Sequence, residues 1–289
     1  MTTLILFKGK KEFNLDLIKL AKDIRKQVFK IAYNGGSGHL GGAFSCVEIL
    51  VSLYFSVLRY DKNNPLWEDR DKVIFSKGHA CLSLYAVLNK IGYITDDEIN
   101  SYCKINSNVG GEPKYMELNG VEATTGSLGR GLSFSVGIAI ANKLNKKDNK
   151  VYTIIGDGEC QEGTVWEAIM SAGYRKLDNL TVILDNNKLQ AMGNLDGILS
   201  IGDIRKSWES FGFYVYEVDG HNIDELIKVF EDNLKNNIEK PRLIIANTIK
   251  GKGVSLIENV PIWHYRLPSE EELPIFLNEL GMKKEEMYL

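Results

Sequence analysis

Short runs of β-branched and other apolar residues alternate along the chain with longer segments of helical periodicity. Five of these runs have the length and composition of buried strands, and each ends in small or oxygen-bearing residues. They begin at Asp71, Val151, Leu180, Phe213 and Arg242. Because strands and helices alternate throughout, the pattern predicts an α/β fold with a mostly parallel sheet and helices on both faces.

The helical segments are mostly amphipathic. The first covers residues 12–33, where apolar side chains recur every three or four positions. Residues 45–58 are apolar nearly all round, which predicts a buried helix in a large core or a subunit interface. Ser45 and Glu48 have the spacing of a capping box at its start, as do Thr95 and Glu98 further along. Further helices are predicted at 80–91, 131–144, 164–176, 203–211, 222–234 and from residue 269.

The length of 289 residues is compatible with one large domain or two small ones. A hydrophobic content of 44% is ordinary for a chain with a substantial core. No linker, repeat or low-complexity segment interrupts the alternation. We therefore expect a single domain over 1–289, with an N-terminal helical segment at about 10–34.

Charge and cysteine usage narrow the class of protein. The net charge of −3 and the absence of a basic cluster give no reason to expect a nucleic-acid partner. The apolar run 47–58 is too short for a membrane span, and Leu4 to Phe7 is too short for a signal peptide. The four cysteines show no C-x-x-C spacing, so we expect a reduced, cytoplasmic protein without a membrane partner.

The runs at 151 and 180 flank a predicted helix and form a strand–helix–strand unit. Parallel strands point the same way, so Asp157 and Asn187 are expected side by side at the carboxyl edge of the sheet. Each residue alone could equally be a helix cap or a turn residue. As a pair they favour octahedral Mg²⁺, held by both side chains, the Leu189 carbonyl and phosphate oxygens of a ligand.

Glycine-rich turns follow residues 36, 76, 124 and 156. Gly158 to Gly163 has the spacing of a P-loop but continues with Thr164, which disfavours a nucleoside triphosphate. The glycines at 126, 129 and 131 do not fit G-x-G-x-x-G. One such turn more often serves tight packing of strand against helix, but four in one α/β chain favour a phosphate-bearing ligand.

The chain has four histidines, all in predicted loops beside glycines or at strand ends. A lone histidine is more often structural than catalytic, yet ligand sites of this architecture lie in such loops. His39 and His79 are the best candidates for anion contacts and proton transfer. His221 is expected to hold a turn, and His264 could be structural or functional.

Several motifs together resemble the transketolase family, and in particular the N-terminal subunit of a split, two-chain transketolase. Gly156-Asp-Gly158 followed by Asn186-Asn187 resembles the thiamin-diphosphate-binding motif. The resemblance covers nearly the whole chain in order. The more specific motifs are Asn34-Gly-Gly-Ser-Gly-His-Leu-Gly41, Ser76-Lys-Gly-His79, Gly120-Val-Glu-Ala-Thr-Thr-Gly-Ser-Leu-Gly129, Gly156-Asp-Gly-Glu-Cys-Gln-Glu-Gly163, Asp219-Gly-His221, Thr248-Ile-Lys-Gly-Lys-Gly-Val254 and Trp263-His264.

The resemblance implies a diphosphate-binding domain that uses thiamin diphosphate with Mg²⁺ or Ca²⁺. The metal ligands would be Asp157, Asn187 and the Leu189 carbonyl. The residues implied to bind the cofactor are His79, Gly126, Ser127, Leu128, Gly156, Asp157, Gly158, Glu159, Asn187, Leu189 and His264. Catalytic roles would fall to His39, His79, His264 and Glu162, with His39 in proton transfer and Glu162 in a glutamate network between active sites.

The family's second domain supplies the glutamate that protonates the cofactor's aminopyrimidine ring. No stretch after residue 255 is long enough for that domain. The resemblance therefore implies a C-terminal partner subunit with the pyrimidine-binding domain, and an α2β2 heterotetramer. The implied reaction moves a two-carbon ketol unit from a ketose to an aldose, with sugars or sugar phosphates as substrates.

Two departures from the family lie near the expected substrate. Glu112 occupies the place of the usual histidine in Gly-His-Pro, and Trp263-His264 continues with Tyr265 and Arg266 instead of glycine. We expect His39, Glu112 and Arg266 to contact substrate, and a modified or activated sugar is compatible with these changes. Alternatives are the α subunit of a 2-oxo acid dehydrogenase type enzyme, or a non-catalytic cofactor-binding module.

Overall fold

The computed structural model describes residues 10–236 and 238–288, so the predicted apolar run at 4–7 lies outside the described residues. Five parallel strands form one sheet in the order β1-β2-β3-β5-β4. The strands are β1 (Lys72–Phe75), β2 (Val151–Gly156), β3 (Leu180–Asn186), β4 (Tyr214–Asp219) and β5 (Arg242–Asn247).

Helices precede, connect and follow these strands. Three lie before β1, and the rest fill the later connections and the C-terminal segment. They are α1 (Lys10–Gly35), α2 (Leu40–Ser45), α3 (Val47–Ser56), α4 (Cys81–Lys90), α5 (Asp96–Asn100), α6 (Arg130–Leu144), α7 (Gly163–Tyr174), α8 (Leu195–Ile198), α9 (Ile204–Ser210), α10 (Ile223–Lys235) and α11 (Leu273–Leu280). No helix among the described residues is long and apolar enough to cross a membrane.

Both faces of the sheet are covered, which explains why the central strands are apolar along their length. One face packs against α1, α3, α4 and α10, with Phe29, Phe44 and Phe230 fully buried. The other packs against α6, α7 and α9 around Trp208 and Phe213, whose ring centroids lie 4.8 Å apart.

The strand register places the predicted loops together. Gly156 pairs with Asp185, and Asn186 pairs with Asn247, so β2, β3 and β5 end at one level. Because all five strands are parallel, the turns that follow them open at a single edge of the sheet. The candidate site lies at this edge.

Of the two capping boxes predicted at helix starts, one is confirmed and one is wrong. Thr95 and Glu98 form the expected capping box at α5. The predicted box of Ser45 and Glu48 is wrong, because α2 ends at Ser45 and α3 begins at Val47 without a side-chain cap. The Ser45 hydroxyl donates instead to Asp185, 2.6 Å away, so a long-range partner replaces the local one. The last helix begins at Leu273, later than expected.

Candidate active site

A cavity of about 320 Å³ opens at the carboxyl edge of the sheet, where the turns after β1, β2, β3 and β5 meet. Its wall combines glycines, oxygen-bearing side chains, two lysines and two histidines. The lining residues are Gly42, Lys77, His79, Gly126, Leu128, Gly156, Asp157, Gly158, Glu159, Asn187, Leu189, Gln190, Ala191, Lys250 and His264. Most of the predicted cofactor-binding residues are among them.

Asp157 and Asn187 both lie in this wall and are almost fully buried. The Asp157 carboxylate accepts hydrogen bonds from the backbone N–H of Gly158, at 2.7 Å, and of Lys188. Burial and the nearby Asp185 carboxylate raise the pKa of Asp157 to about 6. A divalent cation at this place would favour the ionised form and offset that cost.

Asn187 is oriented by its neighbours rather than by solvent. Its Nδ2 donates to Asp185 Oδ2 at 3.3 Å, and its Oδ1 accepts from the Leu189 N–H at 3.1 Å. Because the amide nitrogen donates to Asp185, the amide oxygen lies on the other side of the group, where it could bind a cation.

Asp185 is the centre of a buried polar network beneath the cavity floor. Its carboxylate accepts from Lys77 Nζ, Ser45 Oγ and Thr248 Oγ1, besides Asn187. Burial alone would favour the neutral forms, but their mutual attraction outweighs it. The pKa of Lys77 is therefore raised and the pKa of Asp185 lowered, so the pair is ionised.

A second lysine, Lys250, reaches the same cavity from the turn after β5. Its Nζ donates to the Leu189 carbonyl at 3.2 Å and lies 2.9 Å from Nδ1 of His264. Burial, and then repulsion from Lys77, lowers the pKa of Lys250 to about 8. Neither lysine was singled out from the sequence as a site residue, although both lie within the glycine-rich motifs.

His39, His79 and His264 form one cluster beside the cavity. The three ring centroids lie 5.1 to 5.2 Å apart. Burial and the charge of Lys250 lower the pKa of His39 to about 4 and that of His264 to about 3. Burial and Lys77 also lower the pKa of His79. At neutral pH the cluster therefore consists of neutral imidazoles, each with one donor and one acceptor nitrogen.

Glu159 connects three of the glycine-rich turns. Its buried carboxylate accepts from Ser76 Oγ, from the N–H of Gly129 at 2.8 Å and from the N–H of Gly156 at 3.1 Å. Gly129 has φ +83°, a conformation that glycine adopts without strain. Glu159 thus fixes the shape of the cavity wall through its neighbours.

The remaining predicted residues lie around the cavity. Ser127 and Glu162 are not buried, and Glu162 precedes α7 at its N-cap. The Glu112 carboxylate lies against Gly126. Arg266 stacks on Trp263, with Cζ 4.2 Å from the ring centroid, and pairs with a glutamate of the following loop at 2.8 Å. Their roles stay predictions.

His221 lies outside the cavity and links two segments. Its Nδ1 is 3.0 Å from Glu48 Oε2, and its Nε2 accepts from the Ile249 N–H at 2.8 Å. Glu48 in turn pairs with Arg25 at 2.7 Å. This bridge holds the turn before Lys250, in keeping with the structural role expected for His221.

The residues present fit a diphosphate with a divalent cation. Bare glycine backbone, two lysines and neutral imidazole donors suit phosphate oxygens, while Leu128 and Ala191 provide apolar wall for a ring system. Among residues 10–236 and 238–288, no group of three or more His, Cys, Asp or Glu could hold a metal. A cation would thus depend on Asp157, the Asn187 amide, the Leu189 carbonyl and oxygens of the ligand.

Fold and site together define a diphosphate-binding domain of the kind that holds thiamin diphosphate. The sequence profile of the family described as "Transketolase, thiamine diphosphate binding domain" matches residues 18–289. The chain belongs to this transketolase family. The predicted family and α/β fold class are confirmed.

Relatives of known name and solved structures agree with that assignment. The chain is 42% identical over 266 residues to one subunit of the apulose-4-phosphate transketolase of Actinobacillus succinogenes, covering 92% of this chain and 96% of that protein. It is 39% identical over 260 residues to the 6-deoxy-6-sulfo-D-fructose transketolase subunit SqwG of Clostridium sp., covering 90% and 94%.

The transketolase structure from Leishmania mexicana superimposes with a TM-score of 0.87 and 30% identity, over 92% of this chain and 41% of that one. The chain therefore spans less than half of that transketolase but nearly all of the two relatives that are named as subunits. This agrees with the interpretation as the N-terminal subunit of a split, thiamin-diphosphate-dependent transketolase, which is an enzyme of the transferase class.

Proposed function

We propose that this chain, together with a second subunit, transfers a two-carbon ketol unit from a ketose to an aldose. The observation that carries the proposal is the cavity in which Asp157, Asn187, the Leu189 carbonyl, two lysines and neutral histidines converge. Thiamin diphosphate would supply the electron sink for cleavage of the bond beside the ketose carbonyl.

The diphosphate end of the cofactor is assigned to the floor of the cavity. Asp157, Asn187 and the Leu189 carbonyl would hold Mg²⁺ or Ca²⁺, with Gly158, His79 and His264 beside the phosphate oxygens. Lys250 lies within reach of the same oxygens and would neutralise part of their charge. Gly126 and Leu128 would contact the rings.

Proton transfer at the substrate is assigned to the histidine cluster. Since burial and Lys250 lower the pKa values of His39 and His264, both imidazoles are neutral at neutral pH, and each has a ring nitrogen that accepts a hydrogen bond. A neutral imidazole can also donate from its other nitrogen, so the cluster can bind substrate hydroxyls either as hydrogen-bond donors or as acceptors.

The substrate is assigned to the class of modified or activated sugars. Two relatives are named for apulose 4-phosphate and for 6-deoxy-6-sulfofructose. In this chain two departures from the family motifs lie beside the cavity residues, Glu112 against Gly126 and Tyr265 against His39, whereas the cofactor motifs are intact. The departures therefore concern the sugar rather than the cofactor.

Cofactor binding is tested by calorimetric titration of the reconstituted two-subunit enzyme with thiamin diphosphate, with and without Mg²⁺. We expect saturable, Mg²⁺-dependent binding that Asp157→Asn weakens by about tenfold or more, since a neutral amide replaces the charged ligand. Asp203→Asn, at an exposed helix cap, is the matched control. Absence of binding to the wild-type enzyme would contradict the proposal.

The reaction is tested with the reconstituted two-subunit enzyme and a panel of ketose donors, including phosphorylated and sulfonated sugars. Two-carbon transfer to an aldose acceptor is the expected result. Turnover of 2-oxo acids with a lipoyl protein, and none of ketoses, would support the dehydrogenase alternative instead.

The partner subunit is assigned to an exposed apolar surface on α6 and α7. Phe134 on α6 is 44% exposed, and Met170 and Tyr174 on α7 are 48% and 87% exposed. The opposite sides of both helices pack into the core. We name Phe134, Leu144, Met170 and Tyr174 the α6–α7 face. α6 follows the turn that supplies Gly126 and Leu128 to the cavity wall, so a chain bound near Phe134 would lie close to the cofactor.

The charge-introducing pair Phe134→Glu and Met170→Glu tests this surface when the double variant is mixed with the purified partner subunit. We expect the variant to keep the wild-type melting temperature but to lose the α2β2 complex in size-exclusion chromatography with light scattering. Leu66→Glu, on another exposed surface, should leave the complex intact. Persistence of the complex in the double variant would place the interface elsewhere.

The four free cysteines agree with a reducing, cytoplasmic location.

A further inference from the structure

Tyr265 packs against His39, one of the three members of the histidine cluster. Its ring centroid lies 4.5 Å from that of His39, with the two planes inclined at 42°. The Tyr265 hydroxyl lies 2.7 Å from Ser37 Oγ, within hydrogen-bond distance. Because the residue is 60% exposed, one side of the ring contacts His39 while the rest faces solvent.

Both ends of this contact are anchored in well-packed parts of the molecule. The Ser37 N–H donates to the carbonyl of Ala32 in α1 at 3.2 Å. Trp263, two residues before Tyr265, is buried and lies 5.4 Å from Phe276 between ring centroids. Tyr265 and Ser37 therefore form a fixed rim, built from segments that are far apart in the sequence.

His39 lies between this rim and the interior of the site. On its inner side it meets His79 and His264, each at a centroid distance of 5.1 Å, and Lys250 lies behind them. On its outer side it meets Tyr265. A ligand that approached the cavity over His39 would contact the exposed part of the tyrosine ring.

We propose that Tyr265 is a positioning and specificity-determining residue: with Ser37 it holds His39 in place and restricts the width of a sugar donor that reaches the cavity. The inference rests on the proposed ketol transfer. The class of ligand that fits such a rim is a slender, open-chain hydroxy ketone, whose C–H faces can pack on the aromatic ring and whose hydroxyls can bond to imidazole and phenol. A bulkier donor is excluded by the ring.

The first test follows the histidines by NMR pH titration of the full-length chain, which contains only four of them. In Tyr265→Gly the His39 ring becomes solvated, so its pKa should rise by about one pH unit or more towards the ordinary value. Tyr265→Phe, which keeps the ring, should change the pKa of His39 much less. The matched control is Tyr288→Gly, at an exposed tyrosine. An unchanged His39 titration in Tyr265→Gly would overturn the positioning role.

The second test measures kcat/KM of the two-subunit enzyme for a linear hydroxy-ketone donor and for a branched ketose donor. Tyr265→Gly should raise the ratio of branched to linear donor about tenfold, because the ring no longer limits the width of the donor. Ser37→Ala, which loses only the hydrogen bond, should change the ratio less and in the same direction. The same ratio in wild type and Tyr265→Gly would overturn the specificity role.

The two tests separate this inference from the proposed function. If the wild-type enzyme transfers ketol units but the donor ratio is unaffected by Tyr265→Gly, the inference alone fails. If the wild-type enzyme binds thiamin diphosphate but transfers no ketol unit from any donor, the proposed function fails, while the NMR result still decides whether Tyr265 positions His39.

Discussion

The buried ion pair of Lys77 and Asp185 makes a sharp prediction about stability. The two side chains are 3% and 0% exposed, so removing one partner leaves an unpaired charge in the interior. Such a loss typically costs about 3–5 kcal/mol in the free energy of unfolding. We expect a cost of this size for Asp185→Asn, since Lys77 then has only neutral acceptors close by, namely the amide oxygen at position 185, the Gly42 carbonyl and Ser45.

Lys77→Met should cost less than Asp185→Asn, because Ser45, Thr248 and Asn187 still donate to the remaining carboxylate. The double variant removes both charges and keeps an oxygen at position 185. It should therefore recover most of the stability, to within about 1–2 kcal/mol of wild type.

Urea denaturation of the cofactor-free chain at neutral pH measures all four proteins. Lys235→Met is the control, because its partner is an exposed glutamate one helical turn away and the expected loss is below about 0.5 kcal/mol. If the double variant were as unstable as the sum of the two single variants, the side chains would not be coupled and the reasoning would be refuted. If Asp185→Asn left the free energy of unfolding unchanged, the reasoning would be refuted as well.

Two further predictions concern the stability of the protein at low pH and its activity towards the sugar donor. His39 and His264 have pKa values of about 4 and about 3 when folded and about 6.5 when unfolded, so the unfolded chain binds more protons below pH 6.5. Stability should fall as pH is lowered from 6.5 to 4, by about 1–2 kcal/mol once solvent screening is allowed for, and urea titrations should show a flatter pH dependence in His264→Gln. Glu112→His should change kcat/KM for a given donor about tenfold while leaving thiamin diphosphate affinity unchanged; an altered cofactor affinity would contradict this.

The sequence located the cofactor motifs because they depend on local spacing. Asp157 and Asn187 follow neighbouring parallel strands, and the glycines mark turns, so periodicity and topology rules bring these residues to one edge. The family resemblance added Gly126, Leu128 and His264, and the structure brings all of them into one cavity.

The polar network beneath the cavity could not be predicted in this way. The sequence pattern places Asp185 in a strand and Lys77 in a turn, but their pairing spans 108 positions. Ser45 had a plausible local role as a helix cap, which the distant Asp185 displaced. Glu159 was expected to bind the cofactor, and only the fold shows that its carboxylate serves the turns around it. Long-range pairing of this kind leaves no periodic signal in one sequence.

The cavity draws its wall from residues as far apart as Gly42 and Lys250, and so from nearly the whole length of the chain. Few partly folded forms can therefore retain a binding site for the cofactor. A ligand that binds only the complete fold stabilises it by mass action, by about 2.7 kcal/mol at one hundred times its dissociation constant. The supply of cofactor would therefore protect fully folded molecules from proteolysis, while partly folded molecules would remain susceptible.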